Sequence, residues 1–247
     1  MKKHKKLWIT LSIIVVVLIG MIGGAAAYAN DYYHAMDEVQ AYLDEDNEVS
    51  VSVLADGNMV FKPEGEIQAG FIFYPGGKVE YTAYAPLLGE LAKEGILSVL
   101  VEMPFNLAVL DQNAADGIQK QFEEITNWYI GGHSLGGAMA ATYVSKHTEE
   151  YDGLILLAAY STADISQSGL QVLTIYGSED KVLNYEKLAK NESNLPDDAR
   201  TVVIGGGCHS YFGYYGKQKG DGTPSISRED QIDMTVDAIL SLQQRAQ

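Results

Sequence analysis

The stretch Gly132-His133-Ser134-Leu135-Gly136-Gly137 decides the fold that we expect for this chain. An apolar, strand-like run at residues 127–131 leads into it, and a helix-like run from about 135 to 147 leads out of it. A Gly-x-Ser-x-Gly sequence between a strand and a helix is typical of a nucleophile elbow, a tight turn that exposes the serine hydroxyl. Glycine suits the flanking positions because a Cβ there would crowd the turn. Since the short motif also arises by chance in a glycine-rich chain, its meaning depends on what surrounds it.

The overall composition is that of one globular domain with a substantial core. The chain has 247 residues, of which 47% are hydrophobic and 20% are charged, which is far from a disordered composition. It has 17 basic and 33 acidic residues; four lysines lie among the first six residues, so the region from residue 30 onward carries −20. Such an acidic body repels nucleic acid and anionic membrane surfaces, which argues against nucleic-acid binding. The single cysteine, Cys208, excludes an intramolecular disulfide.

The N-terminus carries a signal for membrane insertion. A basic tip precedes an uncharged, mostly apolar run of 21 residues, 7–27, and about 20 residues of helix span a bilayer core. Flanking lysines stay on the cytoplasmic side, so the rest of the chain is expected outside the cytoplasm. Residues 1–29 are either an uncleaved signal anchor, giving a single-pass protein of the cell membrane, or a signal peptide cut after Ala29, giving a secreted one. We favour the anchor because the run exceeds the usual signal-peptide core of about 7–15 residues.

Residues 30–48 connect this segment to the body of the chain. They are acidic, and Tyr32, Met36, Val39 and Leu43 recur at helical spacing. This pattern predicts a short amphipathic juxtamembrane helix. Its tyrosines could lie at the membrane interface or pack on the domain that follows.

Residues 49–247 predict an α/β domain. A hairpin is expected at residues 49–62 around the Asp56-Gly57 turn signal. Short apolar runs then alternate with helical patterns, including one at about 113–125 and a last one at about 228–244. This alternation predicts a mostly parallel sheet covered by helices on both faces. Ligands of such sheets bind at the carboxyl ends of the strands, where Ser134 also lies.

The base that would activate Ser134 is found by elimination. A serine hydroxyl needs a neighbouring base, and in elbow architectures the order along the chain is serine, acid, histidine. The chain has five histidines: His4, His34, His133, His147 and His209. The first two precede the serine, His133 lies inside the elbow with its side chain expected to point away, and His147 fits a helix C-terminal position. Only His209 follows a later strand, so we predict it as the base.

The acid has three candidates. Asp180 follows the strand ending near Tyr176 and is our first choice. Glu179 is adjacent to it, and Asp164 follows the preceding strand. The sequence leaves all three open.

The oxyanion of the reaction needs two preorganised N–H donors. One is expected from Leu135, the residue after the serine, and the other from the loop after the Ala69–Tyr74 strand. Gly76 is our first choice there and Gly77 a close second. The sequence offers no zinc-ligand spacing, dinucleotide fingerprint or phosphate-binding lysine loop, so no cofactor or metal is expected. Cys208 is interpreted as a small packing residue beside His209.

Several motifs together resemble the alpha/beta-hydrolase superfamily over residues 49–242. They are Tyr74-Pro75-Gly76-Gly77-Lys78-Val79, Tyr84-Ala85-Pro86-Leu87, the elbow, Tyr176-Gly177-Ser178-Glu179-Asp180, and the His209 loop through Gly220-Asp221-Gly222. The nearest branch looks like compact hydrolases similar to dienelactone hydrolases. The resemblance implies that Ser134, Asp180 and His209 are nucleophile, acid and base. Two features depart from that branch: a serine replaces its cysteine nucleophile, and Tyr74-Pro75 replaces the frequent His-Gly pair of the oxyanion loop.

The function expected from these observations is cleavage of a carboxylic ester outside the cytoplasm. Only residues 160–170 separate two strands after the serine, too few for a lipase-type cap, which predicts an open site for a small or surface-presented ester. We expect Met103, Pro104, Phe105 and the aromatic residues 211–215 to wall it. The alternatives are acyl transfer or peptide hydrolysis by the same triad, and non-catalytic binding at a surface. The oligomeric state is not predictable from the sequence.

Overall fold

The N-terminal helix lies in a unit of its own. The structure, a computed structural model, describes residues 2–44 and 48–243. The chain divides into two units, with the boundary along the sequence between Tyr32 and Tyr33. The first unit holds helix α1, Lys2–Asn30. Within α1, Thr10–Tyr28 is a stretch of 19 residues that is long and apolar enough to cross a membrane. By length and composition it fits either a membrane anchor or a signal sequence.

The second unit is built around one sheet of eight strands. The strands are β1 Val49–Val53, β2 Met59–Pro63, β3 Ala69–Tyr74, β4 Ile96–Leu100, β5 Trp128–His133, β6 Gly153–Leu157, β7 Gln171–Gly177 and β8 Arg200–Ile204. Their order across the sheet is β1-β2-β4-β3-β5-β6-β7-β8. β1 and β2 pair antiparallel, β2 also runs antiparallel to β4, and the remaining pairs are parallel. The predicted α/β class with a mostly parallel sheet is therefore confirmed.

Two apolar clusters lie on opposite faces of the sheet because side chains alternate along each strand. In β3, Phe71 and Phe73 face one cluster and Ile72 and Tyr74 the other. The first cluster is covered by helices α2, Ala85–Lys93, and α5, Arg228–Gln243; the second is covered by α3, Leu135–Val144. Each fully buried large apolar side chain contributes about 1.5–3 kcal/mol, so both faces stabilise the sheet.

The register of the parallel strands brings four loops to one edge. Tyr74 pairs with Gly132, His133 with Leu157, and Gly177 with Ile204. The loops that follow β3, β5, β7 and β8 therefore start side by side at the carboxyl ends of the strands. This edge carries every residue predicted for the site. Between β6 and β7 the chain forms only turns, with no inserted cap.

The helix predicted at residues 113–125 is wrong. The segment forms turns and a single 3-10 helix at Gln119–Gln121. Gly117 has a φ of +78°, in the left-handed region, which interrupts any right-handed helix. Ala115 and Ile118 are nevertheless buried, so the apolar spacing that indicated a helix arises from packing of a turn.

Two other helices are shorter than their sequence patterns indicate. Between the end of α1 at Asn30 and residue 48, the described residues form one helix, Asp37–Tyr42, of the 3-10 type, and residues 45–47 lie outside the described ones. The apolar and polar pattern at about 182–190 predicts a helix, but α4, Tyr185–Lys190, begins later because Asn184 caps it, its Oδ1 accepting from Lys187 N at 2.9 Å. The last helix matches its prediction through Gln243; Gln244 and the rest of the terminus also lie outside the described residues.

Candidate active site

Ser134 occupies a strained turn between β5 and α3. Its φ is 52° and its ψ −119°, a conformation that costs a non-glycine residue about 1–3 kcal/mol. The turn is fixed by Ser134 N donating to Leu157 O at 2.9 Å. A Cβ on Gly132 would meet Tyr74 O, and a Cβ on Gly136 would meet the carbonyl oxygens of Tyr74 and Pro75. The two flanking glycines are therefore required by close backbone approach, as a nucleophile elbow demands.

His209 and Asp180 form a buried pair at the same edge. His209 Nδ1 lies 2.8 Å from Asp180 Oδ2, and both side chains are almost completely buried. Asp180 Oδ1 accepts hydrogen bonds from Val182 N and Leu183 N, each at 2.8 Å. A carboxylate held this way accepts from Nδ1–H, so His209 Nε2 carries the free lone pair. The geometry is that of an acid orienting a general base.

Nε2 of His209 is left available. Within the part of the chain that the structure describes, this buried atom has no hydrogen-bond partner. Ser134 Oγ is therefore not bonded to it here, and such bonds commonly tighten only when substrate is present. The ring of His209 lies against His133, the residue before the serine, with a distance of 4.5 Å between ring centroids. The candidate base is thus packed directly against the elbow.

The other two acid candidates do not reach His209. Asp164 is exposed and its Oδ1 accepts from Ser166 N and Oγ, which lowers its pKa. The Glu179 carboxylate accepts from Ser178 Oγ at 3.3 Å. Asp180 alone among the three contacts the imidazole.

The oxyanion loop after β3 favours the second of the two glycines predicted there. Gly76 N donates to the hydroxyl of Tyr84 at 3.0 Å, so this N–H is already engaged. A Cβ on Gly77 would come within 2.8 Å of a methyl carbon of Leu135, which places Gly77 beside the first residue of α3. Among the described residues Gly77 N has no hydrogen-bond acceptor. Gly77, whose N–H is not engaged and which lies beside Leu135, is therefore a better candidate than the first choice, Gly76, for the second donor.

Two residues that sequence reasoning missed hold the His209 loop. The carboxylate of Asp221 accepts from His209 N at 3.1 Å, from Ser210 N at 2.8 Å and from Ser210 Oγ at 2.9 Å. Burial alone would raise the pKa of Asp221, but these hydrogen bonds lower it below its ordinary value. On the other side, the buried amide of Gln231 bonds both N and O of Cys208, at 2.9 and 2.8 Å. The sequence signal that could have indicated the role of Asp221 was the Gly220-Asp221-Gly222 motif, in which the aspartate had been given no partner.

The side chains expected to wall the site are mostly core residues. Phe212, Tyr214 and Tyr215 are buried and belong to the cluster under α2 and α5. Met103 is buried in the other cluster, whereas Phe105 is 66% exposed. The expectation of an aromatic wall is therefore wrong for the buried residues, because they fill the space beneath the loops.

Cys208 is also a packing residue. It is buried beside His209, and burial raises its pKa to about 11. It is therefore a protonated thiol at neutral pH, which does not act as a nucleophile. Within residues 2–44 and 48–243, no group of three or more His, Cys, Asp or Glu side chains is arranged to hold a metal ion.

The site and fold together define the class of protein. Residues 70–233 match the model of the alpha/beta hydrolase family, to which the chain therefore belongs. No curated protein matches the sequence.

Solved structures share the fold at low identity. Carboxyl esterase 2 from the fungus Tuber melanosporum aligns with a TM-score of 0.60 at 11% identity, over 86% of this chain and 91% of its own. Est1E from Butyrivibrio proteoclasticus aligns with a TM-score of 0.57 at 13% identity, over 79% and 99%. A predicted CIB-like hydrolase from Thermoplasma acidophilum aligns with a TM-score of 0.54 at 15% identity, over 78% and 99%. Family membership supports hydrolase activity, and the solved structures support the fold.

Proposed function

We propose that this protein is a membrane-anchored, extracytoplasmic serine hydrolase that cleaves a carboxylic ester with Ser134, His209 and Asp180. The observation that carries the proposal is the buried His209–Asp180 pair, with its Nδ1–Oδ2 distance of 2.8 Å and its unpartnered Nε2, at the strand edge that holds the strained serine. One of the structural relatives is named a carboxyl esterase, which favours an ester over other acyl compounds.

The geometry supports the following reaction. Ser134 Oγ attacks the ester carbonyl carbon while His209 Nε2 takes its proton. The N–H groups of Leu135 and Gly77 stabilise the negative charge that forms on the carbonyl oxygen. The intermediate then expels the alcohol, which receives the proton from His209, and leaves an acyl group on the serine. Water, activated by the same imidazole, releases the acid and restores Ser134.

Asp180 has a defined task in this sequence. Its carboxylate keeps the proton of His209 on Nδ1 and stabilises the imidazolium that forms at each step. Its second oxygen is fixed by the N–H groups of Val182 and Leu183, so the imidazole cannot rotate without breaking the pair.

The experiment is to measure labelling by a fluorophosphonate probe and turnover of a short-chain p-nitrophenyl ester. Ser134→Ala is expected to abolish labelling and to lower kcat at least about a thousandfold. Ser145→Ala is the matched control, because its hydroxyl bonds only Thr142 O at 2.8 Å at the end of α3. Full activity of Ser134→Ala, or an unlabelled wild-type protein, contradicts the proposal and favours a binding role.

The alternatives within the same chemistry are separated by products. Added alcohols or amines are expected to leave the acid as the main product if the protein is a hydrolase. A dominant transfer product would identify an acyltransferase. Cleavage of peptides with no ester turnover would identify a peptidase.

A further inference from the structure

A buried polar chain lies beneath the oxyanion loop, and the proposed reaction has not used it. Gly76 N donates to the Tyr84 hydroxyl at 3.0 Å, and that hydroxyl lies 2.8 Å from His133 Nδ1. The ring of His133 in turn contacts His209 at a centroid distance of 4.5 Å. The three side chains are essentially inaccessible to solvent. This series of contacts, from Gly76 through Tyr84 and His133 to His209, therefore links the oxyanion loop to the candidate base.

The direction of the hydrogen bonds follows from which atoms can donate, since the backbone N–H of Gly76 is a donor only. Burial raises the pKa of Tyr84, so its hydroxyl keeps its proton. The oxygen accepts from Gly76 N–H and the proton is donated to His133 Nδ1. Burial, followed by the neighbouring imidazole of His209, lowers the pKa of His133, which favours its neutral form. Because Nδ1 accepts from Tyr84, the ring proton is assigned to Nε2, a buried atom with no hydrogen-bond partner in the described part of the chain. The order of donors and acceptors is Gly76 to Tyr84 to His133.

Neutrality of His133 matters for His209. During the proposed reaction His209 becomes an imidazolium, and a second positive charge at ring-contact distance would oppose it. The bond from Tyr84 occupies Nδ1 of His133 and so holds the ring in one uncharged tautomer. The base thus gains its charge next to a neighbour whose lowered pKa favours its neutral form.

Gly76 is closely packed, with no room for a side chain. A Cβ at this position would lie 2.7 Å from His133 Nδ1 and would also press on the Tyr84 hydroxyl. The ring of Tyr84 is itself packed on Phe73, with centroids 5.0 Å apart. The loop is thus held at Gly76, one residue before the amide of Gly77 that the proposed oxyanion site uses.

We propose that Tyr84 and His133 are positioning residues of the active site. Tyr84 fixes the oxyanion loop through Gly76 and aims Gly77 N–H, and His133 bonds the Tyr84 hydroxyl through Nδ1 and packs its ring against His209. This inference rests on the proposed function. Neither side chain contacts the substrate in this scheme; both act through groups that do.

Tyr84→Phe removes the hydroxyl and keeps the ring. We expect kcat for the p-nitrophenyl ester to fall about tenfold to a hundredfold, since small misplacements of reacting groups have effects of that order, while KM stays within about twofold. The matched control is Tyr143→Phe, which removes the hydroxyl of a buried tyrosine in the cluster on the other face of the sheet, where it donates to Asp116 at 2.9 Å. That control should lose stability but keep kcat within about twofold.

His133 is tested by a conservative pair. Asn at position 133 offers an oxygen where Nδ1 accepts, whereas Leu does not. We expect His133→Asn to retain several-fold more kcat than His133→Leu, and this difference to vanish in the Tyr84→Phe background, because the shared bond is then absent. Rescue by the acceptor distinguishes positioning from loss of packing, which would affect both variants.

The outcomes separate the two proposals. If the wild-type protein neither labels with fluorophosphonate nor turns over the ester, the proposed function fails. If the wild type is active but folded Tyr84→Phe keeps its kcat, or Tyr143→Phe loses as much, the positioning role is overturned. If His133→Asn and His133→Leu have the same kcat when Tyr84 is unchanged, the role of His133 is overturned. This comparison requires only that these two variants fold.

Discussion

At the scale of single residues, the strained backbone of Ser134 lowers the stability of the fold and exposes the serine hydroxyl. Its φ of 52° is in the left-handed region, which glycine adopts without penalty. We therefore predict that Ser134→Gly is more stable than Ser134→Ala by about 1 kcal/mol, although both lose activity. Thermal unfolding of the two variants measures the difference. Equal unfolding temperatures would show that the turn is unstrained.

Asp221 gives the site a defined response to acid. Its pKa is lowered in the folded state, so the ionised form stabilises the fold. That stabilisation is fully present above the pKa of an unfolded carboxyl, about 3.9, and disappears as the pH falls through the lower folded value. We predict that Asp221→Asn is less stable than wild type at pH 7 and that the difference narrows at about pH 3.

Urea unfolding at the two pH values measures this effect. Asp197→Asn, an exposed aspartate on a turn, is the control and should match wild type at both. The prediction fails if the gap between Asp221→Asn and wild type is constant with pH. Because Asp221 also holds the N–H groups of His209 and Ser210, ester turnover by Asp221→Asn should fall as well.

At the scale of elements, the sequence predicted what depends on local pattern. The apolar runs gave the strands, and the elbow motif gave the strand–turn–helix around Ser134. The order of serine, acid and base along the chain also pointed to His209 and left Asp180 as the first choice among three acids; the structure brings these two side chains within 2.8 Å. The sequence predicts these features because the strands and the elbow depend on neighbouring residues, and the base on its order along the chain.

What the sequence did not predict depends on contacts between distant elements. The choice between Gly76 and Gly77 turns on the hydroxyl of Tyr84, which arrives from the start of α2. The role of Asp221 requires a loop folding back over 11 or 12 residues to reach the His209 segment. The apolar spacing at 113–125 matched a helix, yet Gly117 and the packing of Ala115 form a turn.

The segment that enters the catalytic unit forms a short strap on the oxyanion loop. Tyr33 N donates to Lys78 O at 2.8 Å and Tyr33 O accepts from Glu80 N at 2.9 Å. Its hydroxyl accepts from Lys219 N at 3.0 Å, and its ring lies 5.7 Å from that of Tyr215. The sequence left the tyrosines of residues 30–48 either at the membrane interface or packed on the domain, and Tyr33 packs on the domain. The loop that carries Gly77 is therefore paired to the N-terminal entry of the unit.

Breaking this backbone pair should impair catalysis. We predict that Tyr33→Pro, which removes the N–H bonded to Lys78, lowers kcat for the ester about tenfold, because the loop carrying Gly77 is released. Tyr33→Ala keeps the backbone bonds and removes the ring, so it should retain more activity. The measurement is kcat of both variants in the full chain. Equal losses would assign the effect to the ring instead.

At the scale of the whole molecule, the N-terminal helix and the catalytic unit are separable parts. Every residue of the candidate site lies after Tyr33, in the second unit, whereas Thr10–Tyr28 lies in the first. The apolar stretch of 19 residues, at a rise of about 1.5 Å per residue, is close to the roughly 30 Å thickness of a bilayer core. We propose that this helix holds the protein at the membrane, and we expect the rate of ester hydrolysis not to depend on the sequence of the helix.

This separation predicts the behaviour of charged variants of the helix. Ile14→Lys with Val16→Lys puts two charges near the middle of the apolar stretch, each opposing insertion by about 2.5–3.5 kcal/mol. The wild-type chain should remain in the membrane pellet after alkaline carbonate extraction, and the double lysine variant should be released. Ile14→Leu with Val16→Leu is the matched control and should stay in the pellet.

Activity on a soluble ester distinguishes anchoring from folding in the same samples. Both double variants should keep wild-type kcat, because the helix contributes no residue to the proposed triad. A wild-type protein that is released by carbonate and is shorter by residues 1–29 would identify a cleaved signal peptide, and the catalytic unit would then act as a secreted enzyme. Loss of kcat on release would instead mean that the helix stabilises the catalytic unit directly, against the independence that the two units predict.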